Sequence, residues 1–301
     1  MGIRTEMRAR VAEGAGFFAA LDQSGGSTPS ALRAYGVPDG AYSTEDEMFR
    51  LMHEMRVRIM TAPSFVGEKI LGAILFVGTM NGEVEGAPAP AFLWKQRDIV
   101  PFVKIDQGLE AEAGGVQLMK PIKDLDETLA QAARLDVFGT KARSVIHRAS
   151  PEGVAALVDQ QFELGEVVSR HGLTPILEPE VLITDPDKAQ AETLLRDALL
   201  RHLDALPADR QVILKVTLPE TPDFYQGLAA HDRVDRVVAL SGGYSREEAC
   251  EKLSYDHNMI ASFSRALIGD LRLQMSEAEF DAVLQAAITQ IYAASVHKQD
   301  A

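Results

Sequence analysis

The chain contains the run Gln211-Val212-Ile213-Leu214-Lys215-Val216-Thr217-Leu218-Pro219, which is largely apolar with one lysine in its middle. Its β-branched and aliphatic residues, ended by a proline, are typical of a strand buried in a parallel sheet. Burying the ammonium group of Lys215 costs free energy unless the group is paired or its pKa falls, and a lysine with a lowered pKa becomes a nucleophile toward carbonyls. The plainer alternative is that the strand ends early and Lys215 is a solvated charge at its rim.

The composition indicates a globular, cytoplasmic protein with a sizeable core. Of the 301 residues, 46% are hydrophobic, yet no run is long enough to cross a bilayer. The single cysteine, Cys250, excludes an internal disulfide and fits a reducing compartment. A formal net charge of −14 argues against binding to nucleic acid or to an anionic membrane, but it permits an anionic small-molecule substrate. The composition is also compatible with a homo-oligomer.

Seven further apolar runs resemble the one around Lys215, and helical patterns separate most of them. The predicted strands cover residues 17–22, 70–77, 101–106, 138–146, 174–182, 211–219, 234–240 and 259–263. The clearest helix signals are the cap and proline at Ser150-Pro151 and the capping box from Ser276 to Glu279, while a long loop is expected over 78–90. Eight short strands alternating with helices predict an α/β fold, a single (β/α)₈ TIM barrel domain over residues 1–301, with an open doubly wound sheet as the alternative.

Charged residues occur toward the carboxyl ends of these apolar runs. They are Asp22, Lys104, Asp106, Lys141, Arg143, Glu178, Glu180 and Lys215. Because side chains two residues apart on a strand share a face, the pairs 104/106, 141/143 and 178/180 each point in one direction. The inner face at this end of a barrel carries the active site. The alternative is a network of internal ion pairs that merely fills the barrel mouth.

The loops after the last two predicted strands indicate a phosphate site. Ser241-Gly242-Gly243 offers flexible backbone N–H donors, and Ser262-Phe263-Ser264-Arg265 offers two hydroxyls and a cation. Ser24-Gly25-Gly26-Ser27, after the first strand, is a second candidate anion site. Two anion sites that flank a reactive lysine suggest a bisphosphorylated carbonyl substrate.

Taken together, these motifs closely resemble class I fructose-bisphosphate aldolase in its shorter bacterial form. The matching segments, in chain order, are Leu21–Ser27, Phe102–Asp106, Lys141–Arg143, Pro175–Glu180, Leu214–Lys215, Leu240–Gly243 and Ser262–Arg265. The resemblance implies reversible cleavage of fructose 1,6-bisphosphate to dihydroxyacetone phosphate and glyceraldehyde 3-phosphate, in glycolysis and gluconeogenesis, without metal or cofactor. The seven histidines are scattered, with no HxH or HxxxH spacing, which agrees with a metal-independent reaction.

The resemblance also implies roles for the charged residues. Lys215 would form an imine with the C2 carbonyl of the ketose. Glu178 would be the general acid and base, and Asp22 would lie near the C4 hydroxyl, where cleavage begins. Lys141 would stabilise developing negative charge, whereas Lys104 would keep the pocket positive and help to depress the pKa of Lys215.

Further positions match the second carboxylate and the two phosphate ends. Glu180 would complete a carboxylate pair. The C1 phosphate would be bound by Ser241, Gly242, Gly243, Ser262, Ser264 and Arg265, and weaker candidates for the C6 phosphate are Ser24, Ser27 and Arg143. The animal enzymes have a basic pair where this chain has Ser30-Ala31. Recognition of the distal phosphate would therefore come from elsewhere, with Arg33 and Lys104 as candidates.

Three alternatives remain open at the level of the sequence. Another Schiff-base barrel, such as a transaldolase or deoxyribose-phosphate aldolase, would use the same lysine but has no obvious need of two phosphate sites. A metal-dependent aldolase would lose activity to EDTA. A non-catalytic phosphosugar-binding barrel would give no covalent adduct when dihydroxyacetone phosphate and borohydride are added.

Overall fold

Residues 2–24, 28–38 and 40–300 are described by the structure, a computed structural model. The strands are β1 (Phe17–Leu21), β2 (Ile70–Phe76), β3 (Glu83–Val84), β4 (Ala87–Pro88), β5 (Val100–Lys104), β6 (Val116–Gln117), β7 (Gly139–Ile146), β8 (Thr174–Val181), β9 (Val212–Thr217), β10 (Val234–Leu240) and β11 (Ile260–Phe263). The helices are α1 (Ile3–Glu13), α2 (Thr28–Tyr35), α3 (Glu45–Thr61), α4 (Val77–Met80), α5 (Ala89–Arg97), α6 (Leu125–Arg134), α7 (Pro151–Arg170), α8 (Lys188–Ala205), α9 (Gln226–Ala229), α10 (Arg246–Ser254), α11 (Arg265–Ile268) and α12 (Glu277–Val296).

Eight parallel strands close into a barrel. Their order around the ring is β1-β2-β5-β7-β8-β9-β10-β11, and β11 pairs with β1 to complete it. The ring is also continuous between β5 and β7, where residues Phe102–Lys104 pair in parallel register with Gly139–Lys141. The predicted (β/α)₈ barrel is therefore confirmed, and the open doubly wound sheet is excluded.

An apolar layer fills the barrel below its carboxyl end. It consists of inward-facing strand residues such as Phe18, Phe102, Ile176 and Ile213, each less than 2% exposed. Helix α1 covers this layer, because its two buried residues, Met7 and Val11, pack against the same cluster. Such burial removes a large apolar area from water and stabilises the closed ring.

Capping residues set where the best-predicted helices begin. Ser150 caps α7 by accepting a hydrogen bond from the backbone N–H of Gly153, and Pro151 occupies the first turn, where no N–H donor is needed. Ser276 and Glu279 form the predicted capping box of α12. Further capping boxes begin α3, at Thr44 and Glu47, and α10, at Ser245 and Glu248.

The predicted loop over 78–90 is wrong. The segment contains most of α4, the antiparallel hairpin of β3 and β4, and the start of α5. The hairpin turn places Glu85 and Gly86 at φ values of 50° and 77°, a left-handed geometry that suits glycine. Pro90, at the end of the predicted loop, lies in the first turn of α5, where a missing N–H costs nothing.

No helix among the described residues is both long and apolar enough to cross a membrane.

Asp256, which follows α10, is a buried carboxyl group. Its side chain is 2% exposed, and its Oδ1 atom accepts a hydrogen bond from the backbone N–H of Asp223 at 2.8 Å. Burial raises the pKa of Asp256 from 3.8 to about 6, although the neighbouring Lys298 opposes the rise. The protonated form is therefore favoured by folding, and its stabilising effect is complete below pH 3.8 and is lost as the pH rises through about 6.

Asp256→Asn should remove this part of the pH dependence. Between pH 4 and 6 the free energy of unfolding of the natural chain should fall relative to that of the variant by roughly 2 kcal/mol. Urea unfolding at each pH measures the difference. Parallel curves for the two proteins over this range would contradict the expectation.

Candidate active site

The period of two along each strand places charged side chains directly above the apolar layer. Residue 176 belongs to that layer on β8, so Glu178, two positions later, faces the same interior one step closer to the carboxyl end. The same step leads from Ile213 to Lys215 and from Ala20 to Asp22. The charges predicted for the barrel mouth therefore converge because their strands share one interior.

Glu178 lies between two buried lysines. Lys215 Nζ is 2.9 Å from Glu178 Oε1. Lys141 Nζ lies 2.7 Å from Glu178 Oε2, close enough for ion pairing although the angle is not that of a hydrogen bond. Lys141 Nζ is also 2.6 Å from Asp22 Oδ2. Since the two carboxylates and two ammonium groups are each 8% exposed or less, their charges are balanced with little help from water.

The pairing fixes the ionisation of the carboxylates. Burial alone would raise the pKa of Asp22, but the positive charges of Lys141 and Lys215 outweigh it and hold the pKa well below its usual range. Burial likewise opposes ionisation of Glu178, and the same two lysines keep its pKa below the ordinary value. Burial would lower the pKa of Lys141, but Asp22 and Glu178 raise it, so this lysine stays protonated.

A second group of charges lies beside this cluster. Lys104 Nζ contacts Asp106 Oδ1 at 2.7 Å and also donates to the Asp106 carbonyl at 2.7 Å. Asp106 Oδ2 accepts the backbone N–H of Arg143 at 3.2 Å. The guanidinium of Arg143 pairs with Glu180 through Nε. Glu180 therefore has Arg143 as its ionic partner, while Glu178 has Lys141 and Lys215.

The charged groups surround a cavity of about 850 Å³ at the carboxyl end of the barrel. The predicted site residues that line it are Asp22, Ser24, Lys104, Lys141, Arg143, Glu178, Glu180, Lys215, Ser241, Gly242, Ser262, Ser264 and Arg265. Gly243 is not part of the lining, but a Cβ there would meet Arg265 at 4.0 Å. Ser27, with Gly25 and Gly26, lies outside the described residues.

The predicted phosphate loops lie at one side of this cavity. Gly242 and Gly243 have φ values of 60° and 119°, and a Cβ at Gly242 would come within 2.7 Å of Ile183, so the turn requires glycine. Ser262 is 1% exposed, and its hydroxyl has no hydrogen-bond partner among the described residues. The strands that lead into these loops, β10 and β11, are four places around the ring from β5 and β7, and so lie across the barrel from Lys104 and Arg143.

The cavity also has lining residues that the sequence motifs missed. One is Lys120, an exposed residue on the loop after β6, where no strand pattern indicates that a side chain faces the cavity. Another is Phe49 of α3, whose ring stacks on that of Phe76 with 5.7 Å between the ring centroids. Ser30 lines the cavity, whereas Arg33, one of the two candidates for the distal phosphate, does not. The only feature of the sequence that could have indicated a role for Lys120 in the site is that it is a basic residue in a long loop after a barrel strand.

The described residues contain no group of three His, Cys, Asp or Glu side chains arranged to hold a metal ion.

Comparisons with known proteins agree on one family. The family model described as fructose-bisphosphate aldolase class-I matches residues 3–234. Fructose-bisphosphate aldolase class 1 of Synechocystis sp. is 54% identical over 281 residues, covering 93% of this chain and 94% of that protein. The protein of the same name from Porphyromonas gingivalis is 53% identical over 281 residues, covering 93% and 95%.

A solved structure shares the fold. It is the fructose-bisphosphate aldolase of Plasmodium falciparum, in complex with TRAP and a small-molecule inhibitor. It superposes with a TM-score of 0.73 at 19% identity, over 99% of this chain and 95% of that one. With the family match and the close relatives, the conclusion is that this chain belongs to the class I fructose-bisphosphate aldolase family of lyases.

Proposed function

We propose that Lys215 is the residue through which this aldolase cleaves fructose 1,6-bisphosphate, by forming a Schiff base with the C2 carbonyl. The observation that carries the proposal is the position of Glu178, which touches the ammonium groups of both Lys215 and Lys141 inside a cavity. An amine must lose a proton before it attacks a carbonyl, and Glu178 Oε1 is the base in contact with it.

Imine formation then follows from the same two groups. The neutral amine of Lys215 attacks C2, and the carbonyl oxygen becomes the hydroxyl of a carbinolamine. Glu178 returns its proton to that hydroxyl, which leaves as water while the nitrogen lone pair forms the C=N bond. The protonated imine is an electron sink. The lysine therefore provides the electron withdrawal that a metal-dependent aldolase obtains from its metal ion.

Asp22 is the proposed base for carbon–carbon cleavage. The Lys141 ion pair keeps its carboxylate ionised, so it can accept the proton of the C4 hydroxyl. The electrons of the C3–C4 bond then move to the iminium nitrogen, leaving an enamine on Lys215 and releasing glyceraldehyde 3-phosphate. Protonation of the enamine at C3 and hydrolysis release dihydroxyacetone phosphate. Lys141, paired with both carboxylates, stabilises the negative charge that develops on the C4 oxygen during cleavage.

The two ends of the cavity suit the two phosphates. We assign the C1 phosphate to the loops from Ser241 to Gly243 and from Ser262 to Arg265, next to the Lys215 strand. The opposite side carries Lys104, Arg143 and Lys120. Lys104 and Arg143 already have carboxylate partners, which are Asp106 and Glu180 respectively. We therefore assign to Lys120 most of the electrostatic binding of the distal phosphate.

Lys120→Met should separate bisphosphate from monophosphate substrates. The KM for fructose 1,6-bisphosphate should rise roughly tenfold, because one charge-assisted contact is lost, while the KM for fructose 1-phosphate should change little. Lys123→Met is the matched control, since Lys123 is exposed on the same loop and does not line the cavity. Equal effects of Lys120→Met on both substrates would contradict the assignment.

Oxygen exchange tests the Schiff base itself. Dihydroxyacetone phosphate incubated with the enzyme in ¹⁸O-water should gain the label at C2 faster than by spontaneous hydration, since imine formation expels the carbonyl oxygen and hydrolysis replaces it. Cleavage and exchange should both persist in EDTA. Cleavage without accelerated exchange, or activity that EDTA abolishes and zinc restores, would contradict the proposal. We place the reaction in the cytoplasm, which the free thiol of Cys250 supports.

A further inference from the structure

Arg56, in α3, is a charged side chain buried without a carboxylate partner. It is 2% exposed, and none of the ion pairs among the described residues includes it. Its NH1 group donates to Thr79 Oγ1 at 2.9 Å, and its NH2 group donates to the backbone carbonyl of Gln23. The guanidinium carbon also lies 5.8 Å from the centroid of the Phe76 ring.

These partners place Arg56 behind the wall of the active site. It does not line the cavity, but Gln23 and Phe76 do. Gln23 directly follows Asp22 in the chain, and its side-chain amide donates to the hydroxyl of Ser264, which follows the neighbouring strand β11. Through one backbone carbonyl, Arg56 is therefore connected both to the proposed base for cleavage and to the proposed C1 phosphate loop.

Stabilisation of the fold alone does not explain why a buried arginine occupies this position. Burying a guanidinium without a counterion costs free energy, which an apolar side chain at this position would avoid. Arg58, two residues along the same helix, shows the ordinary alternative, because it pairs with Glu277 at 3.0 Å and donates to loop carbonyls near the surface. Burial lowers the pKa of Arg56 to about 10, although Asp22 opposes the fall, so the group stays charged at neutral pH.

We propose that Arg56 is a positioning residue, which holds the segment from Asp22 to Ser24 so that Asp22 faces the C4 hydroxyl and Gln23 orients Ser264. The guanidinium spans from α4 to the loop after β1 with two donors in fixed geometry, which a lysine cannot reproduce. The inference rests on the proposed roles of Asp22 and Ser264. It predicts that loss of Arg56 impairs cleavage more than imine formation, because Lys215 and Glu178 lie on other strands.

Arg56→Lys and Arg56→Met test the proposal, with Arg50→Lys on the exposed face of α3 as control. Both Arg56 variants should lower kcat for cleavage roughly 10- to 100-fold. The rate of borohydride trapping with saturating dihydroxyacetone phosphate should fall less than the cleavage rate. Thr79→Val, which removes one anchor and keeps the charge, should lower cleavage in the same direction but to a smaller extent.

Chemical rescue separates positioning from general support of the fold. In Arg56→Ala, millimolar guanidinium chloride should restore part of the cleavage activity, whereas the same concentration of ammonium chloride should not. Normal cleavage in Arg56→Lys and Arg56→Met, or equal losses of cleavage and trapping with no rescue, would overturn the inference. If the natural chain itself gave no adduct at Lys215, the proposed Schiff base would fail instead, so the two failures are distinguishable.

Discussion

Replacing Lys215 by arginine should abolish cleavage while leaving the barrel folded. A guanidinium keeps the positive charge beside Glu178, but it does not lose a proton at neutral pH and cannot attack a carbonyl. Turnover should fall by roughly 10⁵-fold or more, as expected when a covalent nucleophile is removed. A coupled assay of glyceraldehyde 3-phosphate release measures the loss, and urea unfolding reports whether the fold is retained.

Lys123→Arg is the control for Lys215→Arg, since it makes the same chemical change at an exposed lysine outside the cavity. Its turnover should equal that of the natural chain. Residual turnover near the natural rate in Lys215→Arg would assign the nucleophile elsewhere, with Lys141 as the neighbouring buried amine.

Glu178→Gln should slow imine formation by roughly 10²- to 10³-fold, in the range that general acid and base groups contribute. The amide is similar in size, but it cannot accept the proton of Lys215 or return it to the carbinolamine. It also leaves Lys141 with Asp22 as its remaining carboxylate contact and Lys215 with none among the described residues, so the free energy of unfolding should fall as well. Trapping with borohydride at successive times measures the rate of imine formation.

Glu180→Gln is a matched control, because it makes the same substitution two residues later on the same face of β8. Its carboxylate pairs with Arg143 and does not contact Lys215, so imine formation should slow far less. A normal trapping rate in Glu178→Gln would reassign the acid and base. An equally severe effect of Glu180→Gln would show that the two carboxylates act as a unit.

The sequence alone predicted the barrel well because its strands are simple patterns. Each is a short apolar run, and the alternation of side chains then decides which charged residues face inward, as with Glu178 above Ile176. The partners within the site could not be predicted in this way. Lys141 meets Asp22 only because the ring closes and brings β7 and β1 to face one interior, a fact of three-dimensional packing.

Residues outside the strand pattern were missed for other physical reasons. Helix α1 has two buried residues in an otherwise charged segment, so it lacks the apolar stripe that identifies a helix. Arg56 lies among the methionines of α3. A charged residue in a helix is ordinarily predicted to face solvent, yet Arg56 is buried and donates a hydrogen bond to Thr79. Lys120 projects from a loop, for which no periodicity exists. In each case tertiary contacts, which a local pattern does not contain, set the environment.

The most direct test of the central claim is to locate the covalent adduct. The natural chain is incubated with dihydroxyacetone phosphate, reduced with borohydride, digested and analysed by mass spectrometry. We predict one reduced triose phosphate on the peptide that contains Lys215, and none on this peptide when either reagent is omitted. An adduct on another lysine, or no adduct in folded protein that still cleaves fructose 1,6-bisphosphate, would contradict the account.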